Sequence, residues 1–113
     1  MRLEELQRVT LQFQEAVNLD ADELEAWLRT EESQSVGFRP DGSGESVGHA
    51  SGRRIVEILR RRQATEDDHR HMRKVVGYIH RHLAQRPPGD VTNTRWRYSL
   101  LNWGHDPLRA PRL

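Results

Sequence analysis

Met72, Val75, Val76, Ile79 and Leu83 fall on one face of an α-helix, and the residues around them fix where that helix must begin and end. Thr65 suits the N-cap, with Asp68 three residues on as its capping-box partner. Glu66, Asp67 and Asp68 suit the positive end of the helix dipole. Arg86-Pro87-Pro88-Gly89 ends the run, because proline lacks a backbone donor and clashes with the preceding turn. The spacing therefore predicts a helix over 66–85. A chain of 113 residues can bury one modest core around such a rod, as a single domain.

The same reading gives four further helices and an all-α class. Leu3, Leu6, Val9, Phe13 and Val17 form one helical face in 3–17. Asp20 and Glu23 make a second capping box, for a helix at 21–31 with Leu24, Trp27 and Leu28 inward. A short turn between these two predicts an acidic antiparallel hairpin over 3–31. A third helix is expected at 51–63, with Ile55, Val56, Ile58 and Leu59 inward. A short one follows at 94–103, where Trp96, Leu100 and Trp103 face the core and Gly104 is the C′ residue. The tail 108–113 is expected to be loose. The expected architecture is a small bundle of about five helices, with a Gly/Ser-rich loop between helices two and three.

That loop, SQSVGFRPDGSGESVGHASG at 33–52, has the residues of a flexible linker. It lacks the Gly-Lys-Ser/Thr of a phosphate-binding loop, and its Gly42-Ser43-Gly44 and Gly48 miss the dinucleotide spacing. Val36, Phe38 and Val47 are apolar enough for parts of it to fold back on the core.

Charge is where the sequence speaks of function. Net charge is +1, yet residues 1–50 carry −7 and residues 51–113 carry +8. Seventeen of the 18 basic residues are Arg, a chain-wide bias that singles out no position. A basic half can meet a polyanion; equally, the halves can neutralise each other within the fold or across a dimer. Arg53, Arg60 and Arg61 fall on the outer face of the third helix, with Glu57 four residues from Arg53 and from Arg61. Arg70, Lys74 and Arg81 project together on the outer face of the fourth, and Arg73 flanks its apolar stripe. Gly77 shares that outward sector. It is either a tolerated surface glycine or a point of close approach for another backbone.

Other chemistry finds less support. Without cysteine there is no disulfide or thiolate site, which fits a reducing cytoplasm. No apolar run reaches membrane length, and no apolar core of signal-peptide type follows Met1. His69 and His71 are two apart, as are His80 and His82, so neither pair shares a helical face as metal ligands must. No metal or cofactor is expected. No nucleophile elbow occurs, and the adjacent His105 and Asp106 are poorly placed to orient one another, so no enzyme is expected.

Three blocks in order, ESVGHASGRRIVEIL (45–59), HMRKVVGYIHRHLAQRP (71–87) and TRWRYSLLNWGHDPL (94–108), together with NLDADELEAWLRTEES (18–33), resemble domain of unknown function 3140. Some members of that family are described as DNA-binding proteins. The resemblance carries over no activity, catalytic residue or cofactor. It turns attention to Arg53, Arg54, Arg73, Lys74 and Arg81, which lie inside the matching blocks. The expectation is a non-enzymatic DNA-binding protein without sequence specificity. It would grip phosphates through Arg53, Arg54, Arg60, Arg61, Arg70, Arg73, Lys74 and Arg81, extended by Arg95 and Arg97. The alternative is a protein-interaction module or homodimer that pairs acidic with basic halves.

Overall fold

Helices form in this chain where a side-chain cap meets an apolar stripe. The computed structural model describes residues 1–109, which hold six helices and no strand. They are α1 (Leu3–Ala16), α2 (Ala21–Leu28), α3 (Glu31–Ser35), α4 (Val47–Arg60), α5 (Glu66–Leu83) and α6 (Arg95–Asn102). Asp20, Thr30, Ser46, Thr65 and Thr94 each accept a hydrogen bond from the backbone N–H three residues on, opening α2 to α6. At Asp20 and Thr65 the bond is reciprocated, so both expected capping boxes form. Each cap satisfies a donor that a helix start leaves bare and stabilises the helix by about 1 kcal/mol.

The core is drawn from five helices. Phe13, Leu24, Ile55, Val75, Ile79 and Leu100 are buried in one cluster. Helix α1 lies against α5 and α2 against α4, while α6 closes the bundle across α2, α3 and α4. The expected α1–α2 hairpin therefore does not form. Its would-be turn is anchored elsewhere: the N–H groups of Asn18 and Leu19 both donate to the carbonyl of Gly104, and the Asn18 side chain pairs with the backbone of Asp106. This pulls the two helices onto different neighbours. Leu3, expected on the inner face of α1, is exposed, because that face turns into the core only from Val9 onward.

The expected loop 33–52 is shorter than its composition suggests. At one end Glu31–Ser35 is a helix, held by buried Asn102, which accepts from the Ser33 hydroxyl (2.5 Å) and the Trp27 indole (2.7 Å). At the other end α4 starts at Val47, four residues before the expected 51, because Ser46 caps it and Gly48 and Gly52 pack against α6. A Cβ on Gly52 would come within 2.5 Å of the Asn102 carbonyl oxygen, so only glycine lets α4 cross there. Val36 does fold back into the interior, whereas Phe38 stays 72% exposed. Of the expected loose tail, residues 110–113 lie outside the described part. Arg109 is tied down, donating to the Asn18 carbonyl and to Glu23.

Candidate functional site

The basic residues of the second half meet the acids of the first within the chain. Arg60 on α4 reaches Asp22 (2.8 Å) and Glu25 (2.9 Å) on α2. Arg73 on α5 pairs with Glu5 on α1, and Arg109 with Glu23 on α2 at 2.5 Å. Arg53 forks onto Glu45 just ahead of its own helix, at 2.5 and 2.7 Å. These contacts hold the carboxylates ionised. The Arg109 hydrogen bond keeps Glu23 at about 2, and the Arg53 hydrogen bond, helped by His49, keeps Glu45 at about 2. Between α4 and α5, Arg54 pairs with Asp67 at 3.1 Å and Arg61 with buried Asp68 at 2.7 Å. Arg70 is flanked by Glu66 and Asp67 on its own helix.

Two more of the expected phosphate contacts are occupied differently. Arg95 donates to the Ser35 carbonyl at 3.1 Å, joining α6 to the end of α3. Arg97 forks onto Asp106 at 3.0 and 3.1 Å and is mostly buried. Asp106 is bonded by Arg97, while the His105 ring bonds the Ala16 carbonyl. The adjacent His and Asp thus serve two different anchors.

Lys74 and Arg81 are what remains of the expected set. Neither lies within 4.0 Å of a carboxylate among the described residues. They stand seven residues apart on α5, roughly 10 Å along its axis. Gly77 lies between them, and the Arg81 guanidinium folds toward it: a Cβ at 77 would lie 3.0 Å from Arg81 Nη1. The space left by the missing side chain is thus taken by the chain's own arginine.

Both cations line a pocket of about 220 Å³ with Phe38, Val47, Tyr78 and Trp103. Its aromatic wall belongs to a column of rings between α5 and α6. His71 stacks on Trp103 (6.5 Å between centroids), Trp103 on Tyr78 (4.2 Å), Tyr78 on His82 (5.2 Å) and His82 on Trp96 (6.0 Å), all within 15° of parallel. Arg86 covers the far end, 5.6 Å above Trp96. Burial raises the Tyr78 hydroxyl above its ordinary value and pulls His71 and His82 below theirs. The sequence carried a sign of this column. His71, Tyr78 and His82 are spaced seven and four apart on one helix, and Trp96 and Trp103 seven apart on the next.

The histidines are engaged singly. His49 faces Glu45 and the Leu28 carbonyl, His69 faces Thr10 and the Thr65 carbonyl, and His71 faces Ser51. Among the described residues no three His, Asp or Glu side chains gather as a metal would need. No described helix is long and apolar enough to cross a membrane.

The model of a family described as "Protein of unknown function (DUF3140)" matches residues 12–101, a span that takes in α2 to α5, the last five residues of α1 and nearly all of α6. No curated protein and no solved structure matches the chain.

Proposed function

From the premise that this chain belongs to the DUF3140 family, whose description names no activity, we propose that it is a non-enzymatic nucleic-acid-binding protein whose phosphate contacts come from Lys74 and Arg81. The observation that carries the reading is that, of the ten expected cations, Lys74 and Arg81 bond neither a carboxylate nor a carbonyl among the described residues, and both line an aromatic pocket from α5. An arginine already facing a carboxylate presents a dipole to an incoming phosphate, and the carboxylate repels it. A cation without such a partner attracts phosphate at full strength. Of the ten expected contacts, two therefore carry the patch. Phosphate contacts of this kind position a strand without reading its sequence. A cytoplasmic location belongs to the same proposal, in keeping with a chain that has no cysteine.

The competing reading joins the acidic half of one copy to the basic half of another. It draws less support, because Glu5, Asp22, Glu23 and Glu25 already meet arginines of their own chain.

The test is fluorescence anisotropy of a labelled 20-nucleotide DNA, as single strand and as duplex, at 50 mM salt. Binding of at least one form is expected, abolished by Lys74→Glu plus Arg81→Glu and changed less than about twofold by Arg60→Gln plus Arg73→Gln. Failure of both forms to bind, or equal loss from the two double variants, would overturn the proposal.

A further inference from the structure

We propose that the pocket beside Lys74 and Arg81 receives one unstacked nucleobase, so that the chain prefers single-stranded to duplex nucleic acid. This rests on the phosphate-binding reading above and names what those phosphates belong to.

The first argument is a missing hydrogen bond. The chain has three tryptophans, and two of them place the indole N–H on an acceptor: Trp27 on Asn102 Oδ1 and Trp96 on the His82 carbonyl, each at 2.7 Å. Trp103 is the most buried of the three as a residue, at 4% exposure, yet its indole N–H, which is not closed off from solvent, bonds no other described residue. That donor is therefore free to bond a molecule that enters from solvent. Trp103 lines the pocket, and so does Gly48, whose Cβ would stand 2.9 Å from that indole nitrogen. Glycine at 48 thus leaves the donor uncovered on the pocket side. An indole N–H only donates, so the occupant must present an acceptor. Every nucleobase edge carries one.

The second argument is an exposed ring held on a fixed backbone. Phe38 is 72% exposed, although its neighbour Val36 is fully buried. Gly37 stands between them at φ +98° and packs against Ser46, and the Phe38 carbonyl accepts from the Val47 N–H at 2.9 Å. The loop is therefore pinned on both sides of Phe38 while the ring is left at the pocket edge. In the same lining, Tyr78 is backed by Trp103 at 4.2 Å. A flat ring entering here meets aromatic surface and a hydrogen-bond donor together.

Charge and size narrow the occupant. Lys74 and Arg81 stand in the same lining, where they can hold phosphates flanking the inserted base. The volume of about 220 Å³ is below the range of roughly 300 Å³ and upward that holds drug-sized ligands. It suits one ring system and leaves the backbone outside. In a duplex the bases are paired and stacked, and unstacking one opposes binding.

The experiment compares a labelled 15-nucleotide oligothymidylate with an abasic phosphodiester strand of equal length, at 50 mM salt. The expected result is at least about fivefold tighter binding of the thymidylate, the low end of base–aromatic stacking. Phe38→Ala or Gly48→Ala should erase that advantage and leave abasic-strand affinity unchanged. In an amide NMR spectrum the Trp103 indole N–H should move on adding thymidylate and stay put on adding the abasic strand, while those of Trp27 and Trp96 stay put with both. Equal affinities and a stationary Trp103 signal would overturn the base pocket and leave phosphate binding standing. Failure of both strands to bind would overturn the phosphate reading and this inference with it.

Discussion

Replacing Gly52 by alanine and replacing Gly77 by alanine should move stability in opposite directions. At 52 a methyl would meet the Asn102 carbonyl oxygen at 2.5 Å and Leu28 Cδ2 at 2.7 Å, so α4 must shift away from α6. The expected cost is about 1–3 kcal/mol, as for other overpacked interiors. At 77 the neighbour is the flexible end of Arg81, which can swing aside, and alanine recovers up to about 1 kcal/mol of helix propensity. Urea denaturation of the two variants reads the difference, and a loss at both positions would contradict the packing described. Titration gives a second prediction. Burial, above all, holds His71, His82 and His105 below their ordinary value of 6.5. The unfolded chain then binds more protons just under pH 6.5, so stability falls as pH drops through that value. Glu23 and Glu45, held at about 2 against an ordinary 4.5, add a second loss between those limits. The urea midpoint should therefore decline from pH 7.5 to 5.5 and again below pH 4.5. His82→Phe, which keeps a ring in the stack, should shallow the first decline. A midpoint flat from pH 7.5 to 5.5 would refute the assignment.

Among the elements, those with local signals were the legible ones. Helix α5 ends within two residues of its expected bounds, because a capping box and a double proline are written in adjacent residues. Helix α3 carried no such signal: EESQS has no apolar stripe, and its stability comes from Asn102, 69 residues beyond Ser33. Asn102→Ala would strip partners from the Trp27 indole and the Ser33 hydroxyl at once. We expect a loss of about 2–4 kcal/mol, from two buried groups at about 1–2 kcal/mol each, with early hydrogen exchange confined to α3 and its flanks. Uniform protection in that variant would show that α3 stands without the anchor. The start of α4 was misplaced for a related reason. Gly48 and Ser51 look like linker residues in a sequence, and they become helix only where a neighbour needs a small residue. The aromatic pocket was hidden in the same way, since it joins Phe38 from the supposed linker to Tyr78 and Trp103 on two helices.

At the scale of the molecule, the sequence displayed the charge asymmetry and concealed its use. Its −7 and +8 halves could have pointed at a polyanion, at a second copy or at each other. They interlock within one chain, through pairs such as Arg60–Asp22 and Arg73–Glu5 that only the tertiary fold brings together. Exposed pairs of this kind add little to stability, because solvent screens them. Their larger effect is on recognition, because they withdraw most of the arginines from the surface that an anion meets. Lys74 and Arg81 were among the ten expected contacts, and nothing in their local sequence set them apart from the other eight. The most direct test of this account is the slope of log affinity against log salt for the 15-nucleotide thymidylate strand. Two phosphate contacts predict a slope of about −1.4, falling to near zero in Lys74→Gln plus Arg81→Gln. A slope near about −7 would mean that all ten basic residues grip the strand, and the narrow patch would be wrong.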